Sequence, residues 1–403
     1  MEDRALLAVL LLAATCRAGD LAQQLEALKV VRAEVQIKLD TVLPPLTGDA
    51  AETGAAFVGG RGGGARTGRA PTFLVVGDWG QHDGYAGQFE RDQARVARGM
   101  ARVAARRDVS FVVSTGDDFY PRGVTSSSDV QFESKWRARY AVGALKKLEW
   151  YNTLGDHDCY GNVSAIVEYA RRPSPNRFRM GARGAKTAAA RYYSVHTCAG
   201  SRDALHLLFL DTCALLCGLK APKQASPDFH CDKMDPSVRV SDRAAQLHWI
   251  KRELARSRGG TDAARLPTPC GGGGHGESGE AVRHWRVVFG HAPLLSAGKS
   301  HGTNAEMVAA LMPLFRDAKV HAYFNGHDHS LQHLVDVNAS GTNFFVSGAG
   351  GGAFLQDTNA AHAHLRHATK ALGFMAVDVH EGTMGVEFVG TRAKTMYAVN
   401  VEN

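Results

Sequence analysis

The chain has 403 residues, 44% of them hydrophobic, enough for one large domain or two ordinary ones. With 47 Lys and Arg against 40 Asp and Glu, the formal charge is +7 and the pI about 9.0. That mild excess suits an anionic substrate but is too weak to argue for nucleic acid, and no stretch is apolar for long enough to cross a bilayer.

In chain order, residues 5–14 (ALLAVLLLAA) are an apolar run of signal-peptide length followed by small and polar residues. Residues 1–19 are therefore predicted to be a signal peptide, with a secreted or lysosome/vacuole-like destination. The cysteines fit an oxidising compartment: loss of Cys16 with the signal leaves six of the seven, enough for three disulfides. Cys217 and Cys231 are the preferred pair, because they close a short, proline-containing loop. Asn162 (NVS) and Asn338 (NAS) match the glycosylation acceptor pattern. Leu21, Leu25, Leu28, Val31, Val35, Leu39 and Val42 recur at helical spacing, so 20–46 is predicted as an amphipathic helix stopped by Pro44 and Pro45. Residues 47–70, with GGRGGG, read as a glycine-rich linker, and 259–279 as a surface insertion.

From Pro71 the pattern changes. Short β-type runs at 73–76, 111–113, 150–153, 205–210, 287–289, 322–324 and 344–346 alternate with helical segments, which indicates an α/β architecture. A helix is predicted over 89–107. On it Arg91, Arg95, Arg98, Arg102 and Arg106 share one arc, read as a solvated face, opposite Val96, Ala97, Met100, Val103 and Ala104.

Five of these strands run into short segments rich in Asp and His: GDWG (77–80), GDDFY (116–120), GDHD (155–158), GHAP (290–293) and NGHDH (325–329). Ligands gather at the carboxyl ends of strands in α/β sheets, so the five loops can converge on one point. The glycine before each polar residue is expected to let the chain turn sharply and approach an ion. A donor set of Asp, His and one Tyr favours transition metals over Ca or Mg, and its spread over five loops suffices for two ions.

GDWG, GDDFY, GDHD, GHAP and GHDH together resemble the five motif blocks of the purple acid phosphatases, within the calcineurin-like metallophosphoesterases. The similarity is closest to the small, tartrate-resistant type, runs from about residue 73 to 387, and makes 71–403 a metallophosphoesterase domain. The resemblance implies a four-layer α/β/β/α sandwich of two mixed sheets with the metal site at the strand carboxyl ends. It implies Fe(III) held by Asp78, Tyr120 and His329, and a divalent ion (Fe, Zn or Mn) held by Asp156, His291 and His327. Asp117 would bridge the two, and a metal-bound hydroxide would attack phosphorus. His157 and His301 match the family histidines that orient substrate and protonate the leaving group. The implied partners are phosphate-ester substrates, with no nucleic acid and no stable membrane insertion.

Two departures stand out. The family has Asn in its GNHD block where this chain has Asp156, which adds a full negative charge to the cluster and is expected to weaken phosphate attraction. The loop over 219–240 corresponds to an exposed, protease-sensitive loop of the mammalian type. No cysteine follows His301 closely, so the relatives' disulfide to Cys217 cannot form, and a Cys217–Cys231 pair would restrain the loop instead. A phosphodiesterase or pyrophosphatase on the same metals, or a weakly active metal- and phosphate-binding protein, are the competing readings.

Overall fold

The computed structural model describes residues 56–57, 72–80, 82, 87–173, 175–181, 191–200, 202–219, 221, 229–256, 282–336 and 341–403. The expected signal peptide, amphipathic helix, most of the linker, the 259–279 insertion and Asn338 lie outside the described residues.

The described strands form two mixed sheets. In the first, β2 Thr72–Val76, β3 Val109–Ser114, β4 Glu149–Asn152 and β5 Phe178–Arg179 run parallel. β13 Gly373–His380, β14 Thr383–Gly390 and β15 Thr395–Glu402 add an antiparallel meander beside β2, so the order is β15-β14-β13-β2-β3-β4-β5. The second sheet has a parallel centre of β7 Asp203–Phe209, β8 Arg283–Phe289, β9 Ala322–Asn325 and β11 Asn343–Ser347. β6 Tyr193–Ala199 runs antiparallel to β7, β10 Leu331–Val335 antiparallel to β11, and β12 Leu365–Thr369 antiparallel to β10. β1 Ala56–Phe57, inside the predicted linker, pairs parallel with β6. The order of this sheet is β1-β6-β7-β8-β9-β11-β10-β12.

The parallel strands are apolar on both faces because both are covered. Between the sheets Phe73 stacks on Phe111 at 5.0 Å and meets Phe289 edge-on at 6.2 Å, while Tyr151 faces Phe209 at 5.9 Å. The Tyr193 hydroxyl donates across the interface to the Asn152 carbonyl (3.0 Å). Helices form the outer layers. α1 Gln88–Arg106 packs on β13 and β14, burying Val96, Ala97, Met100 and Val103 and exposing its five predicted arginines. Arg95 pairs with Asp92 on that face, in keeping with a solvated stripe. The fold is thus the α/β/β/α sandwich implied by the motif resemblance.

Two cross-links pin the loops near the strand ends. Cys217–Cys231 forms as expected, and Cys159–Cys213 is a pair that the sequence does not single out; Cys198 is disulfide-bonded as well. The segment expected to be an exposed loop is therefore only partly one. Phe229, Met234 and Val238 are buried, and short helices run over Cys231–Lys233 and Pro236–Arg239. Apolar side chains within a basic stretch fold it back onto the body.

α2 Asp156–Cys159 and α3 Val163–Ala170 follow β4. Asn162 caps α3: its side-chain oxygen accepts from the Ala165 N–H at 3.0 Å, and its amide donates to the Thr125 carbonyl. Asn162→Ala is expected to lower stability by about 1 kcal/mol, read as a fall in the urea midpoint with an unchanged m-value.

Candidate active site

All five motif loops meet at the carboxyl ends of β2, β3, β4, β8 and β9. Two groups of donors result. In one, the Tyr120 hydroxyl lies 3.2 Å from Asp78 Oδ1 and 3.1 Å from His329 Nε2, and His329 Nε2 is 3.4 Å from Asp78 Oδ1. In the other, Asp156 Oδ1 lies 3.1 Å from both His291 Nε2 and His327 Nδ1, and those two nitrogens are 3.2 Å apart. Asp117 stands between: its Oδ2 is 3.6 Å from His291 Nε2, and one ligand atom each from Asp78, Asp117 and His291 lie within 4.8 Å of one another.

Backbone and neighbouring groups fix each donor. Asp78 and Asp117 have φ 55° and His327 has φ 72°, left-handed values that side chains other than glycine rarely adopt and that mark strain held by the surrounding structure. Sharp turning is the expectation for the preceding glycines, yet of those five only Gly116 has a positive φ (93°). The others serve close approach: a Cβ on Gly155 would collide with the Asp117 carboxylate.

The histidines have defined tautomers. A carbonyl oxygen only accepts, so His291 Nδ1 donates to the Thr115 carbonyl (2.8 Å) and His329 Nδ1 to the Phe354 carbonyl (3.0 Å), which turns Nε2 of each ring toward the carboxylates. Metal-binding histidines are usually held this way, by an outer carbonyl.

Electrostatics favours cations. Asp78, Asp117 and Asp156 are all at most 5% exposed, and gathering buried carboxylates is costly without positive charge. Burial raises the Asp117 pKa, against His291, and Asp156 and Asp78 push it the same way. Burial and then Asp117 and Asp78 push the Tyr120 phenol well above its ordinary range, so a phenolate there calls for a strongly charged neighbour. Asp156 feels burial upward, but hydrogen bonds from His291 and His327 prevail and hold it well below the usual range. The donor set therefore fits two ions, which supports the expectation drawn from composition.

The family model described as calcineurin-like phosphoesterase matches residues 71–331. Purple acid phosphatase 3 of Arabidopsis thaliana is 30% identical over 334 residues, which cover 80% of this chain and 75% of that protein. The chain belongs to the purple acid phosphatases. Human tartrate-resistant acid phosphatase type 5 is 27% identical, with 81% of this chain and 89% of that protein covered. Among solved structures, GAP50, the anchor in the inner membrane complex of Plasmodium, aligns with a TM-score of 0.62 over 83% of this chain and 89% of its own, at 17% identity. That last likeness is one of fold. As a member of this family the protein is an acid phosphatase, and its implied centre is dinuclear.

The two further histidines of this acid phosphatase pack on different donor groups. His157 Nδ1 donates to the Pro121 carbonyl at 2.7 Å, leaving Nε2 to hold or release a proton, and its ring packs on Tyr120 at 4.3 Å. Burial lowers its pKa, but Asp117 and Asp156 outweigh that and raise it. His301 lies over the His327 ring, with centroids 4.0 Å apart.

Several further residues near the centre, some outside the motifs and two (Asp158 and Asp328) within them, are not singled out by the sequence. His82 packs on Tyr120 at 4.7 Å and meets His157 edge-on at 5.5 Å, and Phe229 lies against His327 at 4.9 Å. Asp158 accepts from the N–H groups of Gly155 (2.9 Å), Asp118 (3.1 Å) and Phe119 (3.0 Å), tying the GDHD loop to GDDFY. Lys135, buried, donates to the Tyr120 carbonyl at 2.7 Å. Asp328 accepts from Ser296 Oγ (2.5 Å), the Gly302 N–H (3.1 Å) and the His301 N–H (3.3 Å), and so holds the His301 loop. Asp328→Ala is expected to lower kcat about fivefold through loss of positioning. The check is turnover alongside metal analysis, with metal content unchanged.

Proposed function

We propose that this enzyme hydrolyses phosphate monoesters at a Fe(III)–M(II) centre, M being Fe, Zn or Mn. Asp78, Tyr120 and His329 would hold the ferric ion, Asp156, His291 and His327 the divalent one, and Asp117 both. The observation that carries the reading is the placement of Asp117 between a group containing a tyrosine and a group containing two histidines. Tyrosinate suits a hard trivalent ion and imidazole a divalent one. When bound, such a pair supplies Lewis acidity toward phosphate oxygens and toward water.

The protein's own groups do the rest. His157, with Nδ1 committed to Pro121, presents Nε2 to give a proton to the departing oxygen. His301, seated over His327 and anchored through Asp328, orients the phosphate. The disulfides support a secreted or lysosome/vacuole-like setting, with Asn162 as a glycan acceptor. A second reading, of a metal- and phosphate-binding protein of weak turnover, is favoured by Asp156 alone.

Metal analysis of the purified protein, combined with turnover of p-nitrophenyl phosphate and bis(p-nitrophenyl) phosphate at acid and neutral pH, tests the proposal. The expected result is two transition-metal equivalents, one of them iron, and monoester turnover exceeding diester turnover. Protein that retains no transition metal sinks the centre. Bound metal without turnover leaves the second reading.

A further inference from the structure

Beside His157 lies a cavity of about 190 Å³ lined by Pro121, Arg122, Tyr160, His230 and Lys233. It shares walls with the catalytic centre. The carbonyl of Pro121 is the one that fixes His157 Nδ1, and the Tyr160 ring meets His157 edge-on at 5.7 Å. The Tyr160 side chain therefore meets His157 on one side and lines the cavity on the other.

The lining is cationic. Arg122, His230 and Lys233 are exposed, and among the described residues neither Arg122 nor Lys233 takes part in an ion pair. The acidic residue nearest in sequence, Asp232, does not line the cavity. The wall is also held in place. Cys231 is cross-linked to Cys217, Phe229 packs on His327, the His230 N–H donates to the Tyr160 hydroxyl (3.4 Å), and the Asp235 N–H donates to the Cys159 carbonyl (2.7 Å). Positive groups anchored in this way need little ordering when an anion arrives.

We propose that this cavity is an anion subsite which takes a second phosphoryl group on the leaving-group side of the substrate, so that the enzyme prefers bisphosphorylated esters to simple monoesters. The inference rests on the phosphoester reading above and adds a substrate class to it. The side is set by His157, which serves the departing oxygen. The size agrees: a water occupies about 30 Å³ in the liquid, so the cavity admits a phosphoryl group with some of its hydration. Two full positive charges match a phosphate dianion better than a carboxylate.

The test is isothermal titration of the metal-loaded protein with the phosphonate isosteres of glucose 1,6-bisphosphate and glucose 6-phosphate, in which methylene replaces the ester oxygens and prevents hydrolysis (named below by their parent sugars), for wild type and for R122Q/K233Q. Wild type should bind the bisphosphate at least about fivefold more tightly, a preference that shrinks as salt is raised. The double variant should lose the preference while its glucose 6-phosphate affinity and p-nitrophenyl phosphate turnover stay within about twofold of wild type. No preference in wild type, or one that survives in the variant, overturns the proposal. Weaker binding of both sugars to the variant in equal measure also overturns it. A protein that shows the preference but turns over no ester keeps the subsite and defeats the phosphatase reading; the reverse pattern does the opposite.

Discussion

Asp117→Asn is expected to lower kcat/KM for p-nitrophenyl phosphate on the order of a thousandfold, or about 4 kcal/mol of transition-state stabilisation. Asp117 has a ligand atom within 4.8 Å of those of Asp78 and His291, and its Oδ2 is 3.6 Å from His291 Nε2, as a shared ligand requires. Asparagine is nearly isosteric and tolerates the left-handed backbone at this position (φ 55°) better than most residues. It can also keep the acceptor that takes the His157 N–H at 3.0 Å. The fold should therefore survive while the charge between the two groups is lost. Metal content should fall from two equivalents toward one, measured on the same preparation as the kinetics. A variant with full metal content and activity within about tenfold of wild type would remove Asp117 from the role of shared ligand.

Much of this geometry is legible in the amino-acid sequence, because the strands that carry it announce themselves. The runs at 73–76, 111–113, 287–289 and 322–324 are central, buried on both faces and continuously apolar, and each ends in a glycine-led polar turn. Strands that face helices or solvent on one side are harder to see. β6 alternates Tyr193 and Val195 toward the core with Ser194 and His196, and Ser194 bonds Glu253 on the helix over Arg243–Arg256. β12 and β15 lie at sheet edges and are largely half-exposed or exposed, so their apolar signal is thin.

The same logic separates the side chains that motif position reveals from those it does not. Asp78, Asp117, Asp156, His291, His327 and His329 sit in sequence shortly after strands, within motifs whose joint pattern makes them candidate ligands. His82, Phe229 and Tyr160 reach the centre only through tertiary packing, and a lone aromatic in a loop carries no such mark. Asp328 stands in the sequence only as the acid between two histidines of GHDH. Its work, holding the loop of His301, depends on a partner 27 residues away. The glycines depart from expectation for a related reason: strain falls on Asp78, Asp117 and His327, because the donor's own backbone must bend to aim it.

Asp156→Asn should keep kcat within a fewfold of wild type and lower the inhibition constant for phosphate at least about tenfold. Asp156 Oδ1 is the acceptor that faces His291 Nε2 and His327 Nδ1, each at 3.1 Å, and an asparagine carbonyl oxygen can take that place. What changes is charge. Burial works against ionisation of Asp156, yet the hydrogen bonds from His291 and His327 hold its pKa well below the ordinary value, which favours the anion. Beside Asp78 and Asp117, it opposes the approach of a phosphate dianion at a buried site, where a unit charge acts more strongly than in bulk water. Removing it leaves the ions' positive charge less compensated and phosphate more strongly held. The same change should loosen the divalent ion, read as faster loss of that metal to a mild chelator. Charge and ligation thus pull in opposite directions at one residue. A phosphate inhibition constant equal to that of wild type, with metal content intact, would show that Asp156 is silent toward the substrate anion.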